Sequence, residues 1–234
     1  APNLTEIVYA AGGGEKLVGV DDFSNYPPDV GRLPRVGGMQ PDIEKVVALR
    51  PDLVLASTEG NQPAVAPALA AAGVPLFVVR TDRLVEIATS LSRVGELLGT
   101  SHGEIAASTL RDQIRRQQRT RATQPRILFA VWADPLYVAG RETFTEDLFE
   151  LTGARNAVEV KGWPQYSQES LLQNPPDIVL YPENSVSRAQ IERLFAVSPA
   201  TLRRVRIIGV DDDRFTRPGP RVVEAAATLN EILE

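Results

Sequence analysis

Short apolar runs rich in Val, Ile and Leu recur along the chain at KLVGV (16–20), DLVLAS (52–57), PLFVVR (75–80), RILFAVW (126–132), DIVLYP (177–182) and VRIIGVD (205–211). Runs without polar alternation suit strands buried on both faces, as in parallel sheets. Between them TEIVYAAG, DIEKVVALR, QPAVAPALAAAG, LVEIATSLSRVGELLG and TEDLFELTG place apolar residues at helical spacing. The alternation of the two patterns predicts an α/β fold with mainly parallel sheets. SHGEIAASTLRDQIRRQQRTR (101–121) stands apart. Ser101 and Glu104 have the spacing of a capping box, and nothing breaks the helix before Arg121. About 18 helical residues would run roughly 27 Å, as a strut between two halves or as a surface helix of a single sheet.

Two stretches favour two halves. IEKVVALRPDLVLAS (43–57) and QESLLQNPPDIVLYP (168–182) agree at Glu44/Glu169, Pro51/Pro176, Asp52/Asp177, Val54/Val179 and Leu55/Leu180. In each, a capping residue, Asp42 or Ser167, stands two positions before the glutamate. The pattern predicts a short helix with its carboxylate in the first turn, stopped near the proline and followed by a strand. Singly, each glutamate is well explained as a partner of the helix dipole, worth about 0.3 to 1 kcal/mol. The matched pair points to an external role.

Composition removes several functions. No apolar run approaches the ~20 residues that cross a bilayer, and a net charge of −5 lacks the basic surface nucleic acids require. Without cysteine there are no disulfides, thiolate metal sites or thiol nucleophiles. The single histidine, His102, falls at a helix start and reads as a helix-end residue, so no protein-only metal site is expected. No G-x-S-x-G elbow occurs, and AGGGEK (11–16) follows a helix rather than a strand, which makes it a helix-ending turn. Asp211, Asp212 and Asp213 remain as carboxylates for a hydrolase of glycosides or esters, or as a solvated turn. The opening residues lack the basic and apolar segment of a secretion signal, which leaves export neither shown nor excluded.

Ligand binding without chemistry fits better. DDFSNYPP (21–28), GGMQ (37–40), KGWPQYS (161–167) and DDDRFTRPGPR (211–221) gather aromatic and charged residues where loops follow strands or precede helices. Phe23, Tyr26, Met39, Trp163, Tyr166, Asp213, Phe215 and Arg217 are the candidates they supply. Trp163, between Gly162 and Pro164, belongs to no amphipathic stripe. Arg217 either holds a polar ligand or pairs with Asp213 on the surface.

APNLTEIVYAAG, SNYPPDV, IEKVVALRPDLVLAS, WPQYSQESLLQNPPDIVLY and RFTRPGPRVVEAAATLNEIL, in that order over nearly the whole chain, resemble the cobalamin- and siderophore-type substrate-binding proteins of bacterial ABC importers, most of all the cobalamin-binding branch. The resemblance implies two Rossmann-like lobes, 1–99 and 123–234 with a returning C-terminal helix, joined by a backbone helix over 100–122, with ligand in the cleft between them. It implies a non-enzymatic, monomeric protein outside the cytoplasmic membrane, in the periplasm or lipid-anchored, that delivers a metal chelate to a dimeric permease. A first strand is expected upstream of Ala1. Glu44 and Glu169 match the carboxylates that meet permease arginines. Asn3, Phe23, Trp163, Asp213 and Arg217 match ligand contacts, while two cleft tryptophans of the branch fall on Met39 and Ser57 here. That departure keeps a smaller corrinoid, haem or a ferric siderophore open beside cobalamin. No cofactor other than such a ligand is expected.

Overall fold

The computed structural model describes residues 1–58, 64–196 and 198–234. The chain divides into two units, Ala1–Asp112 and Gln113–Glu234. The first contains α1 (Pro2–Ala10), α2 (Ile43–Ala48), β1 (Val54–Ser57), α3 (Val65–Ala71), β2 (Leu76–Val79), α4 (Leu84–Leu98) and α5 (His102–Gln117), within which the boundary falls. β1 and β2 pair in parallel from Val54↔Leu76 to Ser57↔Val79. Leu4, Ile7 and Val8 of α1 and Ile87, Leu91 and Val94 of α4 supply much of the buried core. Gly99, in the left-handed region at φ 65°, ends α4. Gly95 and Gly103 allow α4 and α5 to touch backbone to backbone, since a Cβ on Gly95 would lie 2.6 Å from Gly103 Cα.

Two local expectations fail in this unit. The run at 16–20 forms no strand: Gly14–Lys16 is a 3-10 turn, and only Val20 is bridged, to Arg35. Val20 N donates to Pro34 O and Val20 O accepts from Val36 N, each at 3.0 Å. A β-propensity run becomes a strand only beside a neighbour of matching length, and among the described residues it meets one bridge. Glu104 does not complete a capping box on Ser101; it accepts from Ser92 Oγ (2.5 Å) and pairs with Arg111 (3.3 Å). The Ser92 hydrogen bond, then Arg111, holds its carboxyl below the usual range.

The second unit runs β3 (Arg126–Ala133), β4 (Leu136–Val138), α6 (Phe144–Leu151), β5 (Arg155–Asn156), α7 (Gln168–Gln173), β6 (Ile178–Pro182), α8 (Arg188–Leu194), α9 (Pro199–Leu202), β7 (Arg206–Val210), α10 (Asp212–Thr216) and α11 (Val222–Ile232). Its sheet has the order β4-β3-β6-β7, with β5 also on β3. β3, β6 and β7 are parallel and β4 returns antiparallel. β6 is buried at every position, as a strand covered on both faces must be. Leu128, Val179, Ile191, Phe195 and Ile207 belong to one core cluster. The α/β expectation therefore holds within each unit.

Candidate functional site

The two predicted caps form as the sequence implies. Asp42 accepts from Lys45 N at 3.1 Å and Ser167 accepts from Ser170 N at 3.0 Å. Each fixes the first turn of its helix, α2 or α7, worth about 1 kcal/mol. Two residues beyond each glutamate, Val46 or Leu171 is buried, and this anchors one helix face and turns Glu44 or Glu169 outward. Glu169 also accepts from Gln173 Nε2 at 3.1 Å.

In the first unit the 21–26 loop is held from below. Asp21 accepts from Phe23 N (2.9 Å) and Ser24 Oγ (2.6 Å), and Arg35 donates to the carbonyls of Asp21 (2.8 Å) and Ser24 (2.6 Å). This pinned loop presents Phe23, 57% exposed, and Met39 on the neighbouring turn is 62% exposed. The Phe23 ring lies against Gly38, where a Cβ would come within 2.9 Å of the ring edge. Tyr26 is also exposed. Asn3 and Ser57 are buried instead, and Asn3 Nδ2 donates to Thr81 Oγ1 at 3.1 Å. A cavity of about 180 Å³ in this unit is lined mainly by apolar residues such as Val8, Val20, Leu55 and Leu69, and includes none of the candidate ligand residues.

In the second unit the loop carrying Trp163 is laced to the β3–β4 region. Gly140 N donates to Gly162 O (2.8 Å), Arg141 N to Val160 O (2.8 Å), Val138 N to Pro164 O (3.1 Å) and Tyr166 N to Leu136 O (2.8 Å). Gly162 sits at φ 72°, a turn that favours glycine. The Trp163 ring packs at 6.0 Å on Phe144, the first residue of α6, which Thr143 caps. Tyr166 is partly buried against the core.

Arg217, mostly buried, donates to Asp213 at 2.6 Å, and Arg221 approaches the other oxygen at 3.8 Å. Phe215 requires a correction. It is 1% exposed with its ring 6.1 Å from Phe129, so it is core and not a surface offered to a ligand. The acidic trio is likewise spoken for: Asp211 caps α10 by accepting from Arg214 N, and Asp212 accepts from Asn184 N and Ser185 Oγ. His102 packs on Gly12 at the start of α5. Among the described residues no His, Asp or Glu group gathers to hold a metal ion, and no helix is long and apolar enough to cross a membrane.

Sequence reasoning missed Trp132 and Tyr137, exposed on β3 and β4. The signal was the Asp-Pro pair in VWADPLYV, a turn between two apolar runs, hidden because RILFAVW reads as one continuous buried strand.

A family model described as periplasmic binding protein matches residues 1–198. The vitamin B12-binding protein of Pectobacterium carotovorum subsp. carotovorum (strain PC1) is 31% identical over 98% of this chain and 84% of its own length. The periplasmic heme-binding protein RhuT from Roseiflexus sp. RS-1 superposes with a TM-score of 0.85 at 28% identity, over 98% of this chain and 94% of that one. The periplasmic vitamin B12 binding protein BtuF of Vibrio cholerae gives 0.80 at 28% identity, over 100% and 94%.

Proposed function

Because the chain belongs to the periplasmic binding protein family, we propose that it is the extracytoplasmic substrate-binding protein of an ABC importer and that its cargo is a metal chelate, cobalamin or another corrinoid. Its matched relatives are binding proteins, not enzymes. The observation that carries the cargo class is the pair of apolar side chains, Phe23 and Met39, that the first unit exposes; in the second unit Trp163 is half-buried on Phe144. Aromatic rings and a thioether suit the flat faces of a macrocycle. A cobalt already ringed by its own nitrogen ligands asks for no protein ligand. The B12-binding relative, similar over almost the whole chain, supports the corrinoid over other chelates.

Asp213, with Arg217 and Arg221, supplies polar partners for amide groups at a macrocycle's rim. Glu44 and Glu169 serve another surface. Each stands on a capped first turn, where it meets an arginine of a two-fold permease and steers docking. The binding protein acts as a monomer.

Haem is the second reading. The likeness to a heme-binding structure favours it, as does Tyr26, 44% exposed, since tyrosine is an established haem-iron ligand. Calorimetric titration with cyanocobalamin and with haemin separates the two, together with the absorption spectrum of material that copurifies. Micromolar or tighter binding of cyanocobalamin is expected. Binding of haemin alone would overturn the corrinoid assignment.

A further inference from the structure

The N-terminal edge of the second unit's sheet is a row of arginines. Arg126 and Arg155 open β3 and β5 and are direct partners in that ladder, and Arg206 opens β7. Backbone bonds run along the edge from Arg155 N to Pro125 O, from Asp177 N to Arg126 O and from Arg206 N to Asp177 O, each at 2.9 Å. Arg119 and Arg121 join the row from beyond the end of α5: Arg119 N donates to Leu151 O at 2.9 Å and Arg121 Nε to Thr152 O at 3.0 Å. An open hollow of about 680 Å³ lies against them, lined by Thr120, Arg121, Gln124, Asp177 and Arg206 among others.

The guanidinium groups are braced without being neutralised. Arg121 donates to Leu233 O (2.7 Å), Arg206 to Ile232 O (3.0 Å), Arg126 to Pro175 O (3.2 Å), Arg119 to Arg116 O (2.8 Å) and Arg155 to Gln124 Oε1. Neutral acceptors fix a guanidinium's direction and leave its charge in place. Among the described residues none of these arginines pairs with a carboxylate side chain. Arg203 and Arg204, both exposed, precede β7 at the same edge, where Glu150, Asp177, Glu231 and Glu234 are the opposing charges. In a chain whose net charge is −5, this edge is positive.

We propose that this edge docks on an anionic phospholipid surface, its guanidinium forks taking phosphate oxygens of the headgroup layer. A protein partner fits less well, because a protein interface is built around an apolar centre. None of the exposed large apolar side chains among the described residues lies at 119–126, 150–156, 174–178, 203–206 or 230–234. The geometry also keeps lipid away from the ligand loop. Tyr166 N donates to Leu136 O beyond the far end of β3, so the Trp163 loop stands off by the length of that strand, eight residues or roughly 26 Å at about 3.3 Å each. That is more than twice the ~10 Å over which charge acts at about 0.1 M salt. The inference does not depend on what the cargo is.

The test is co-sedimentation of the full chain at low salt with vesicles of equal parts phosphatidylglycerol and phosphatidylcholine, and with vesicles of phosphatidylcholine alone; thermal melts verify the folding of each variant. Binding to the anionic vesicles is expected to exceed binding to the neutral ones about tenfold or more, and to fall as salt rises. Arg155→Glu with Arg206→Glu is expected to lower it about tenfold, while a control of equal charge change in the first unit, Arg32→Glu with Arg93→Glu, stays within about threefold of the parent. Equal binding to both kinds of vesicle overturns the proposal. An equal loss in the control does so too, since net charge and not this edge would then be the cause. Capture of soluble polyphosphate without vesicle binding, or self-association in sedimentation velocity that the reversal abolishes without vesicle binding, would give the edge to a phosphate polymer or to a second copy, and overturns it as well. Should the reversal fail to fold, Arg155→Gln with Arg206→Gln takes its place: a loss of about threefold or more is expected, and unchanged binding overturns the proposal.

Discussion

The helix-to-strand unit built around Glu44 and the one built around Glu169 share a cap, a buried anchor and an outward carboxylate, yet enter different sheets. α2 leads to β1, whose first two residues are only partly buried and which pairs with β2 alone among the strands described. α7 leads to β6, buried throughout and flanked by β3 and β7. The helix ends differ as well: Arg50 takes a left-handed φ of 48° after α2, whereas Asn174 after α7 stays at φ −129°. What the two copies keep in common is local. A side-chain oxygen on the capping residue, accepting from the backbone N–H three residues on, and one apolar anchor are enough to present a carboxylate, whatever sheet follows.

The strongest test of that equivalence is charge reversal. Glu44→Lys with Glu169→Lys is expected to abolish stimulation of the cognate importer's ATPase while leaving chelate affinity unchanged by calorimetry. If the double variant also loses affinity, the docking role is wrong. Single reversals should each weaken stimulation; a single variant indistinguishable from the parent would show that only one copy is used.

A second comparison sets two phenylalanines from loops that looked alike in sequence. Phe215→Ala should cost about 3 to 5 kcal/mol in chemical denaturation, as a buried aromatic does. Phe23→Ala should stay within about 0.5 kcal/mol and act on ligand affinity instead. Removing a cap, Asp42→Ala or Ser167→Ala, should cost about 1 kcal/mol in either copy, or about 2 to 4 °C in the melting temperature of a chain this size. A much larger loss in one copy would show that its helix does more than present a glutamate.

The smallest effect concerns Glu104. Its folded-state pKa is depressed, so its stabilisation is present above the ordinary value of 4.5 and is lost as pH falls through the depressed one. Glu104→Gln should lower the melting temperature slightly at neutral pH, with the difference closing in acid.

Much of this was readable because it is local. Asp42, Ser167 and the prolines behind them fix where α2 and α7 start and stop, and the Val-rich runs of β1, β2, β6 and β7 need only be apolar and uninterrupted. What was illegible depends on contacts distant in sequence. Leu17 to Val20 has a strand's composition and lacks the neighbours to make a ladder. Phe215 and Phe23 both sit among charged residues, and only the packing of Phe129 tells them apart. Trp132 was hidden by a register shift against β4, a strand that the sequence did not announce. Ser101 and Glu104 had the spacing of a box, but Ser92 and Arg111 offered the carboxylate better partners.

The bond from Gln173 to Glu169 has a thermodynamic consequence. A glutamate surrenders rotamer freedom worth up to about 2 kcal/mol when it is fixed in one geometry. Glu169 has given up part of that freedom before any encounter, while Glu44, with Ala48 in the place of Gln173 and so no donor there, retains it. Two carboxylates equal in charge are thus unequal in entropy: the one in the second unit would meet the proposed permease already half-ordered, and Gln173→Ala would make them alike.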